Sequence, residues 1–206
     1  AQGEENLWFF GKAHVVDFSG GTPVVAANPP RSQQGRAFPG YYPDWFGLQA
    51  AVCDPAGNLR FFVHVRSNVS IATQYRKDPK IFDATGYSMP HGDINAALSS
   101  GDANAESPMI VPWPGEPDKY FVFYTIDAGL LYSVVDMRLN NGMGDVDTME
   151  KDILLRGFGT IIGAKYAAVQ ACDGVWVVVR SRVTNEYYSF HITREGLDRN
   201  PVVSSC

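Results

Sequence analysis

The sequence predicts an all-β protein, a β-propeller-like array of four-stranded antiparallel blades that forms an incomplete ring of about three to four blades. Three observations favour this fold class. Short apolar runs alternate along the chain with turns rich in Gly, Pro, Asn and Asp. The 206 residues include 20 Gly and 13 Pro but only 19% charged residues, which suits many turns and few surface helices. Three units with the same strand order align on their second strands, about 55–60 residues apart: Phe61–Val65, Tyr120–Tyr124 and Val175–Val179.

Residues 1–27 are predicted to supply spare strands of a ring-closing blade. The apolar runs Asn6–Gly11, His14–Phe18 and Val24–Ala27 are separated by turn residues. The first residues, AQGEEN, are typical of the end left by signal-peptidase cleavage after a small residue. We therefore expect an exported protein whose signal peptide has been removed.

Residues 28–47 contain too much Pro and Gly for a regular element, and we predict a long loop packed across a surface or into a mouth. Aromatic rings stack on sugars and anchor protein interfaces, so the aromatic residues of this loop are the binding candidates. They are Phe38, Tyr41, Tyr42, Trp45 and Phe46. The alternative stays open that these rings cover a blade or a neighbouring subunit.

Three blades are predicted, over residues 48–86, 107–155 and 160–204, within one domain that spans residues 1–206. In the first blade the turn DPAGN joins two apolar runs, because Pro presets φ and Gly supplies a positive φ. Strands are expected at Leu48–Cys53, Leu59–Val65, Ser70–Tyr75 and Lys80–Phe82. Residues 87–105 are polar and weakly patterned, which predicts a loop or a short helical turn.

The second blade contains the clearest meander. Its apolar runs are Met109–Val111, Tyr120–Ile126, Leu130–Leu139 and Met149–Leu155. The punctuating segments PWPGEPD, DAG and NNGMGD reverse the chain between them. The third blade repeats this order of strands after residue 160.

Charge and hydropathy exclude two classes of partner. The formal net charge is −5, without a basic cluster interleaved with aromatic residues, so we predict no nucleic-acid binding. No apolar run approaches the ~20 residues of a membrane helix, so we predict no membrane span.

Several motifs resemble the N-terminal regions of large Bacteroidetes surface proteins. The pattern N-x-W-x-F-G followed by D-F-x-x-G-x-P is matched by Asn6, Trp8, Phe10, Gly11, Asp17, Phe18, Gly20 or Gly21, and Pro23. A strand ending in D-x-x-G-N-L-x-F is matched by Asp54, Gly57, Asn58, Leu59 and Phe61, and M-P-x-G by Met89, Pro90 and Gly92. The most specific matches are Ile110–Phe123 and Tyr132–Val146. The resemblance covers most of the chain in the family's order.

This resemblance implies a propeller-like region of a gliding-motility-associated or type IX-secreted adhesin, proteins that often end in a type B sorting domain. It implies export and display on the outer cell surface or release from the cell. The sequence departs from the family in having fewer blades, no sorting domain and a longer aromatic loop at residues 28–47.

The motif GMGDVDTMEKD carries candidate calcium ligands and a candidate modification site. Asp145 and Asp147 could ligate a metal, but the spacing lacks the third ligand and the Gly of an EF-type loop. A hairpin turn explains both carboxylates, and we predict no metal site and no cofactor. Asp147-Thr148-Met149 matches a short O-glycan acceptor pattern of this phylum, which makes Thr148 a possible glycan acceptor.

The search for catalytic residues finds only scattered groups. The four histidines lack ligand spacing, and no nucleophile elbow, zinc-protease motif or phosphate loop is present. Propeller glycosidases carry carboxylates at the mouth of the ring, and the formal candidates are Asp54, Asp93, Asp127 and Asp173. All but Asp93 occupy turn positions that Asp fills for conformational reasons.

The three cysteines have no metal-type spacing. Cys53 and Cys172 end the first strands of blades two units apart, too far for a disulfide between them. Cys206 is expected to pair with a cysteine outside this chain; three unpaired thiols are the alternative.

Together these observations favour a non-enzymatic, adhesin-like cell-surface or secreted domain that binds a glycan or a protein or builds an extracellular assembly. Exposed blade edges would be relieved by another chain that completes the propeller or by a homo-oligomer. The alternative is a propeller-type polysaccharide hydrolase or lyase, which needs convergent carboxylates about 5–9 Å apart.

Overall fold

The computed structural model describes residues 7–10, 14–17, 22–27, 47–66, 80–95, 108–126, 129–157, 165–181 and 184–205. It is all-β, with three antiparallel sheets of four or five strands, none of them closed, and one sheet of three strands. The prediction of an all-β protein is confirmed. The chain divides into two compact units, residues 1–94 with 137–146, and residues 95–136 with 147–206. No described helix is long and apolar enough to cross a membrane.

The first unit contains two sheets. The three-stranded sheet is β1-β2-β3, with β1 at Leu7–Phe10, β2 at His14–Asp17 and β3 at Val24–Ala27. The four-stranded sheet is β4-β5-β6-β7, with β4 at Gly47–Cys53, β5 at Leu59–Arg66, β6 at Lys80–Asp83 and β7 at Ser88–Asp93. A two-residue strand, β11 at Asp145–Val146, lies against β7.

Turn chemistry explains the hairpins of the four-stranded sheet. The carboxylate of Asp54 accepts hydrogen bonds from the backbone N–H groups of Ala56 and Asn58, and Gly57 has a φ of 89°. The side chain of Asp83 likewise accepts from the backbone of Thr85. The predicted DPAGN hairpin is therefore confirmed.

The prediction that residues 87–105 form a loop or a short helical turn is wrong for residues 88–93. These residues form β7, which pairs with β6, so the sheet extends beyond the predicted boundary at residue 86. Pro90 and Gly92 lower the strand propensity, but Met89 is buried and a Cβ at Gly92 would collide with the carbonyl of Ile81. Packing and close backbone approach thus override local propensity. The predicted strand Ser70–Tyr75 lies outside the described residues.

The second unit contains two larger sheets. We call β8-β9-β10-β12 the central sheet; β8 is Met109–Trp113, β9 is Glu116–Ile126, β10 is Gly129–Asp136 and β12 is Ile153–Gly157. We call β13-β14-β15 with β16 and β17 the C-terminal sheet. Here β13 is Lys165–Gln170, β14 is Val175–Arg180, β15 is Glu186–Thr193, β16 is Gly196–Leu197 and β17 is Val202–Ser205. Both β16 and β17 pair with β15.

Two features of the central meander differ from the prediction. The strand expected at Leu130–Leu139 ends at Asp136, and a 3-10 turn follows at Asn140–Gly142. The run Met149–Leu155 begins as a second 3-10 turn at Thr148–Glu150, where Met149 is 83% exposed. Asp147 caps this turn by accepting the backbone N–H of Met149.

The central and C-terminal sheets share one hydrophobic core. Its members are every second residue along β9, β10, β14 and β15, and Phe123, Leu130, Val177 and Phe190 are fully buried among them. Burial of each such side chain contributes about 1.5–3 kcal/mol. This alternation shows which face of β14 and β15 is turned to the core: the residues with odd numbers in β14 and those with even numbers in β15.

Candidate interaction surface

The two sheets of the second unit differ in how completely they are covered. In β10 all eight residues are buried, so the central sheet has no solvent-exposed face along this strand. In β14 and β15 buried residues alternate with partly exposed ones. The C-terminal sheet is therefore fully covered on its core side only, and its second face is a regular surface that is partly accessible to a partner.

The strand registers assign the residues of this second face, which we call the outer face. They form three rows across the sheet: Val169, Trp176 and His191; Ala167, Val178, Ser189 and Val202; Lys165, Arg180, Tyr187 and Ser204. Val169 and Val202 are 56% and 60% exposed, which is high for valine side chains in strands. Apart from His191 and Ser189, the first two rows of the outer face are apolar, and the third row contains the basic residues Lys165 and Arg180.

The rings of Trp176 and His191 lie at the centre of the first row. They stack face to face with 4.2 Å between ring centroids and an interplanar angle of 5°. The stack forms because the two residues are directly opposite each other on β14 and β15, where cross-strand side chains come close. Both rings are partly exposed, so the stack adds aromatic surface beside the row that contains Val178 and Val202.

A carboxylate lies next to this stack. Oδ1 of Asp173 is 3.4 Å from Nε2 of His191, and the Asp173 side chain is 70% exposed. Nε2 of His191 is buried and has no hydrogen-bond partner among the described residues. The two side chains are thus in close contact without a hydrogen bond, and the Asp173 oxygens stay available to donors from a ligand. A partly exposed aromatic pair beside a solvent-accessible carboxylate suits a polyhydroxylated ligand or a protein side chain.

The aromatic candidates predicted from the sequence lie outside the described residues. They are Phe38, Tyr41, Tyr42, Trp45 and Phe46, and their role in binding stays a prediction. Trp176 was not among them, because VWVVV in β14 is a continuous apolar run of the kind expected in a fully buried strand. The signal that could have revealed the outer face is the polar Arg180, Tyr187 and Ser189 in phase with Trp176.

Asp145 is bound within the first unit rather than open to a metal ion. It is buried, and it accepts hydrogen bonds from the backbone N–H of His91 at 2.9 Å and of Val146 at 2.8 Å. Its Oδ2 lies 2.7 Å from Nδ1 of His91, whose ring is about half exposed (53%). The pair fixes β7 against β11. Asp147 caps its own turn, and within the described ranges no three metal-binding side chains converge.

The candidate catalytic carboxylates also have separate structural partners. Asp54 holds its turn, and hydrogen bonding, first of all from the Asn58 side chain, lowers the pKa of its carboxyl. Asp93 forms an ion pair of 2.6 Å with Lys80, its neighbour across the sheet. Asp127 lies outside the described residues.

Thr148 and the cysteines have distinct settings. Thr148 is exposed in its 3-10 turn, so its hydroxyl is accessible, and glycosylation there stays a prediction. Cys53 is buried, whereas Cys172 is exposed. Cys206, for which an external partner is predicted, lies outside the described residues.

Comparison with protein-family models, with curated proteins and with solved structures gives no match for this chain.

Proposed function

We propose that this chain is a non-enzymatic, adhesin-like domain of an exported cell-surface or secreted protein, and that it binds a glycan or a protein through the outer face of the C-terminal sheet. The observation that carries the proposal is the unequal coverage of the two sheets. β10 is buried at every position, whereas the C-terminal sheet leaves the Trp176–His191 stack accessible. Secretion and the relation to gliding-motility proteins rest on the motif resemblance alone.

We further propose that the sheets are blades of an incomplete, propeller-like ring. Each of the three larger sheets takes its principal strands from consecutive segments of the chain, as blades do. Two of them pack on one shared core.

The described carboxylates do not favour the hydrolase or lyase alternative. Asp54 and Asp173 lie in hairpin connections, where they contact Asn58 and His191, and Asp93 pairs with Lys80 across its sheet. A glycosidase needs two carboxylates facing a shared cleft. We therefore place binding, not catalysis, at the centre of the proposal.

The test is a binding screen with matched variants. The recombinant chain is applied to an array of microbial and plant polysaccharides and used in pull-downs from cell-surface extracts. Trp176→Ala and Val202→Glu alter the outer face, whereas Met149→Ala removes an even more exposed apolar side chain outside it. We expect at least a tenfold loss of binding for the first two variants and none for Met149→Ala, with circular dichroism unchanged in all three.

Two results would overturn the proposal. One is binding that survives both outer-face variants. The other is the absence of any glycan or protein ligand in both screens. A ligand found only by pull-down would assign the outer face to a protein partner.

A further inference from the structure

The edge strand β13 of the C-terminal sheet is a second feature, independent of the outer face. β13 is the terminal strand of that sheet, and no other described strand pairs with its far side. Its residues Ala167, Ala168, Val169 and Gln170 are all exposed, although they alternate between the two faces. A strand whose second half is exposed on both faces, and whose far edge pairs with no described strand, is a ready template for another strand.

The hydrogen-bond pattern shows which backbone groups point outward. The N–H of Ala171 donates to the carbonyl of Gly174 at 2.8 Å, which makes this a hydrogen-bonded pair of the β13–β14 hairpin. Such pairs alternate with non-hydrogen-bonded pairs along an antiparallel ladder. In the register of β13 with β14, Ala167 and Val169 therefore bond to β14, while the N–H and C=O groups of Ala168 and Gln170 point away from the sheet.

β13 also lacks the usual devices that protect an edge. Its register with β14 is continuous, without a bulge, and its sequence KYAAVQ contains no Pro. The only charged residue, Lys165, is at the start of the strand. In contrast, β8, at an edge of the central sheet, contains Pro112 and a register shift between Pro112 and Trp113. Pro and bulges at an edge prevent pairing.

We propose that β13 pairs antiparallel with β13 of a second copy of this chain, about a two-fold axis at Val169. In this register Ala168 faces Gln170 of the copy and Gln170 faces Ala168. Because the outward groups of both residues are then directly opposite, each pair exchanges two hydrogen bonds. Val169 meets Val169 of the copy as a non-hydrogen-bonded pair, the arrangement in which side chains are closest.

The chemistry favours a second copy over an unrelated strand. Antiparallel pairing of β13 with itself places small or apolar side chains together on the outer face, since Val169 would face Val169 and Ala167 would face Ala171 of the copy, and it sets each Gln170 opposite the small Ala168. It also separates the two Lys165 side chains to opposite ends, so that like charges do not meet. The Val169 side chain, which is 56% exposed, is then covered on one side by Val169 of the copy.

The dimer would join the outer faces of two copies into one larger binding surface, an inference that rests on the proposed function. The two-fold axis is perpendicular to the sheet, so both outer faces lie on the same side. The row His191–Trp176–Val169 continues directly into Val169–Trp176–His191 of the copy. With strands spaced about 4.8 Å apart, the two Trp176 residues lie roughly 14 Å from each other. The ligand class this favours is an extended chain with repeating units, such as a polysaccharide.

The first test measures mass against concentration by sedimentation equilibrium. We expect the wild-type chain to dimerise as its concentration rises. Ala168→Pro removes an outward N–H without removing a bond to β14, and we expect it to weaken association at least about tenfold. Val169→Lys places two like charges on the axis and should act similarly, whereas Val169→Thr keeps the shape and should dimerise. Thermal unfolding of monomeric Ala168→Pro checks that the fold is retained.

The second test maps the register by crosslinking. In a Cys172→Ser and Cys206→Ser background, Val169→Cys should form an intermolecular disulfide under mild oxidation, because its partner is itself. Ala167→Cys should not, since it faces Ala171. A chain that stays monomeric at all concentrations, a dimer that survives Ala168→Pro, or equal crosslinking of the two cysteine variants would overturn the inference. Since Trp176→Ala leaves the edge of β13 intact, failure of ligand binding and failure of dimerisation are separable.

Discussion

The hydroxyl of Tyr124 donates a hydrogen bond of 2.6 Å to Oδ1 of Asp152. The same hydroxyl lies 2.6 Å from Oγ of Ser133, and that Oγ accepts the backbone N–H of Asp152 at 3.0 Å. Asp152 has a φ of 54°, a conformation that non-glycine residues rarely adopt. The network therefore holds a strained corner of the chain at the start of β12.

Replacing Tyr124 by Phe should destabilise the protein by about 1–3 kcal/mol, because it leaves the Asp152 carboxylate and the buried Ser133 hydroxyl with one partner fewer. Urea unfolding measures this difference. Tyr187→Phe is the control, since Tyr187 lies partly exposed on the outer face, and its midpoint should match the wild type. Equal midpoints for the two variants would contradict the structural role of the network.

Alkaline pH should also destabilise the second unit. Burial, reinforced by the hydrogen bonds to Asp152 and Glu150, raises the pKa of Tyr124 and of Tyr132 well above their ordinary value. A raised pKa in the folded state stabilises the protein below the unfolded-state pKa, about 10, and that contribution is lost as the pH rises through the folded-state pKa.

The measurement is tyrosinate absorbance against far-ultraviolet circular dichroism above pH 10. We expect part of the absorbance change to coincide with loss of strand signal, and this part to shrink in Tyr124→Phe. Complete tyrosine ionisation in a protein with full strand signal would refute the prediction.

Low pH should destabilise the folded protein in part by protonating Glu186. Hydrogen bonds, first from Tyr188 and then from Thr184, lower the pKa of this carboxyl. A lowered pKa stabilises the folded state above the unfolded-state value of about 4.3, and the contribution is lost as the pH falls from there through the folded-state pKa. Urea midpoints measured between pH 6 and pH 3 should fall less steeply for Glu186→Gln than for the wild type. Parallel pH profiles would show that this carboxyl makes no such contribution.

Gly174 should not tolerate a side chain. A Cβ there would overlap the backbone carbonyl of Ile192 and lie 3.1 Å from Nε2 of His191. Because this carbonyl is held in the backbone of β15, it cannot shift without distorting the strand. We therefore expect Gly174→Ala to lower the free energy of unfolding by about 3 kcal/mol.

Gly142→Ala is the matched control for the Gly174 variant. A Cβ at Gly142 meets no atom within 4 Å, but its φ is +85°. Its expected cost of about 1 kcal/mol therefore reflects backbone strain alone. Urea unfolding that ranks the two variants in the opposite order would show that the β14–β15 approach is looser than described.

The elements predictable from the sequence are those with local causes. Asp54 and Gly57 specify their hairpin through an Asp side chain and a positive φ, both of which act within five residues. The second strands of all three units were found because their apolar runs are bounded by strong turns. Local chemistry thus determines where most strands begin and reverse.

The features that the sequence could not predict depend on distant partners. β7 contains Pro90 and Gly92, and only its pairing with β6 makes it a strand. Tyr124 and Asp152 are 28 residues apart, and no periodicity links them. The outer face escaped prediction because Trp176 sits in a run that looks buried on both sides; whether a second sheet covers it is decided by tertiary packing alone.

The His91–Asp145 contact has a consequence for folding during synthesis. Residues 95–136 belong to the second unit, whereas residues 137–146 return to the first. The Asp145 carboxylate accepts the backbone N–H of His91 and contacts its Nδ1, and Asp145 is synthesised 54 residues after His91. The ribosome must therefore release β8, β9 and β10 of the central sheet before β11 can pack against β7 and complete the first unit. A chain cut at residue 94 would lack β11 and would leave β7 without this neighbour.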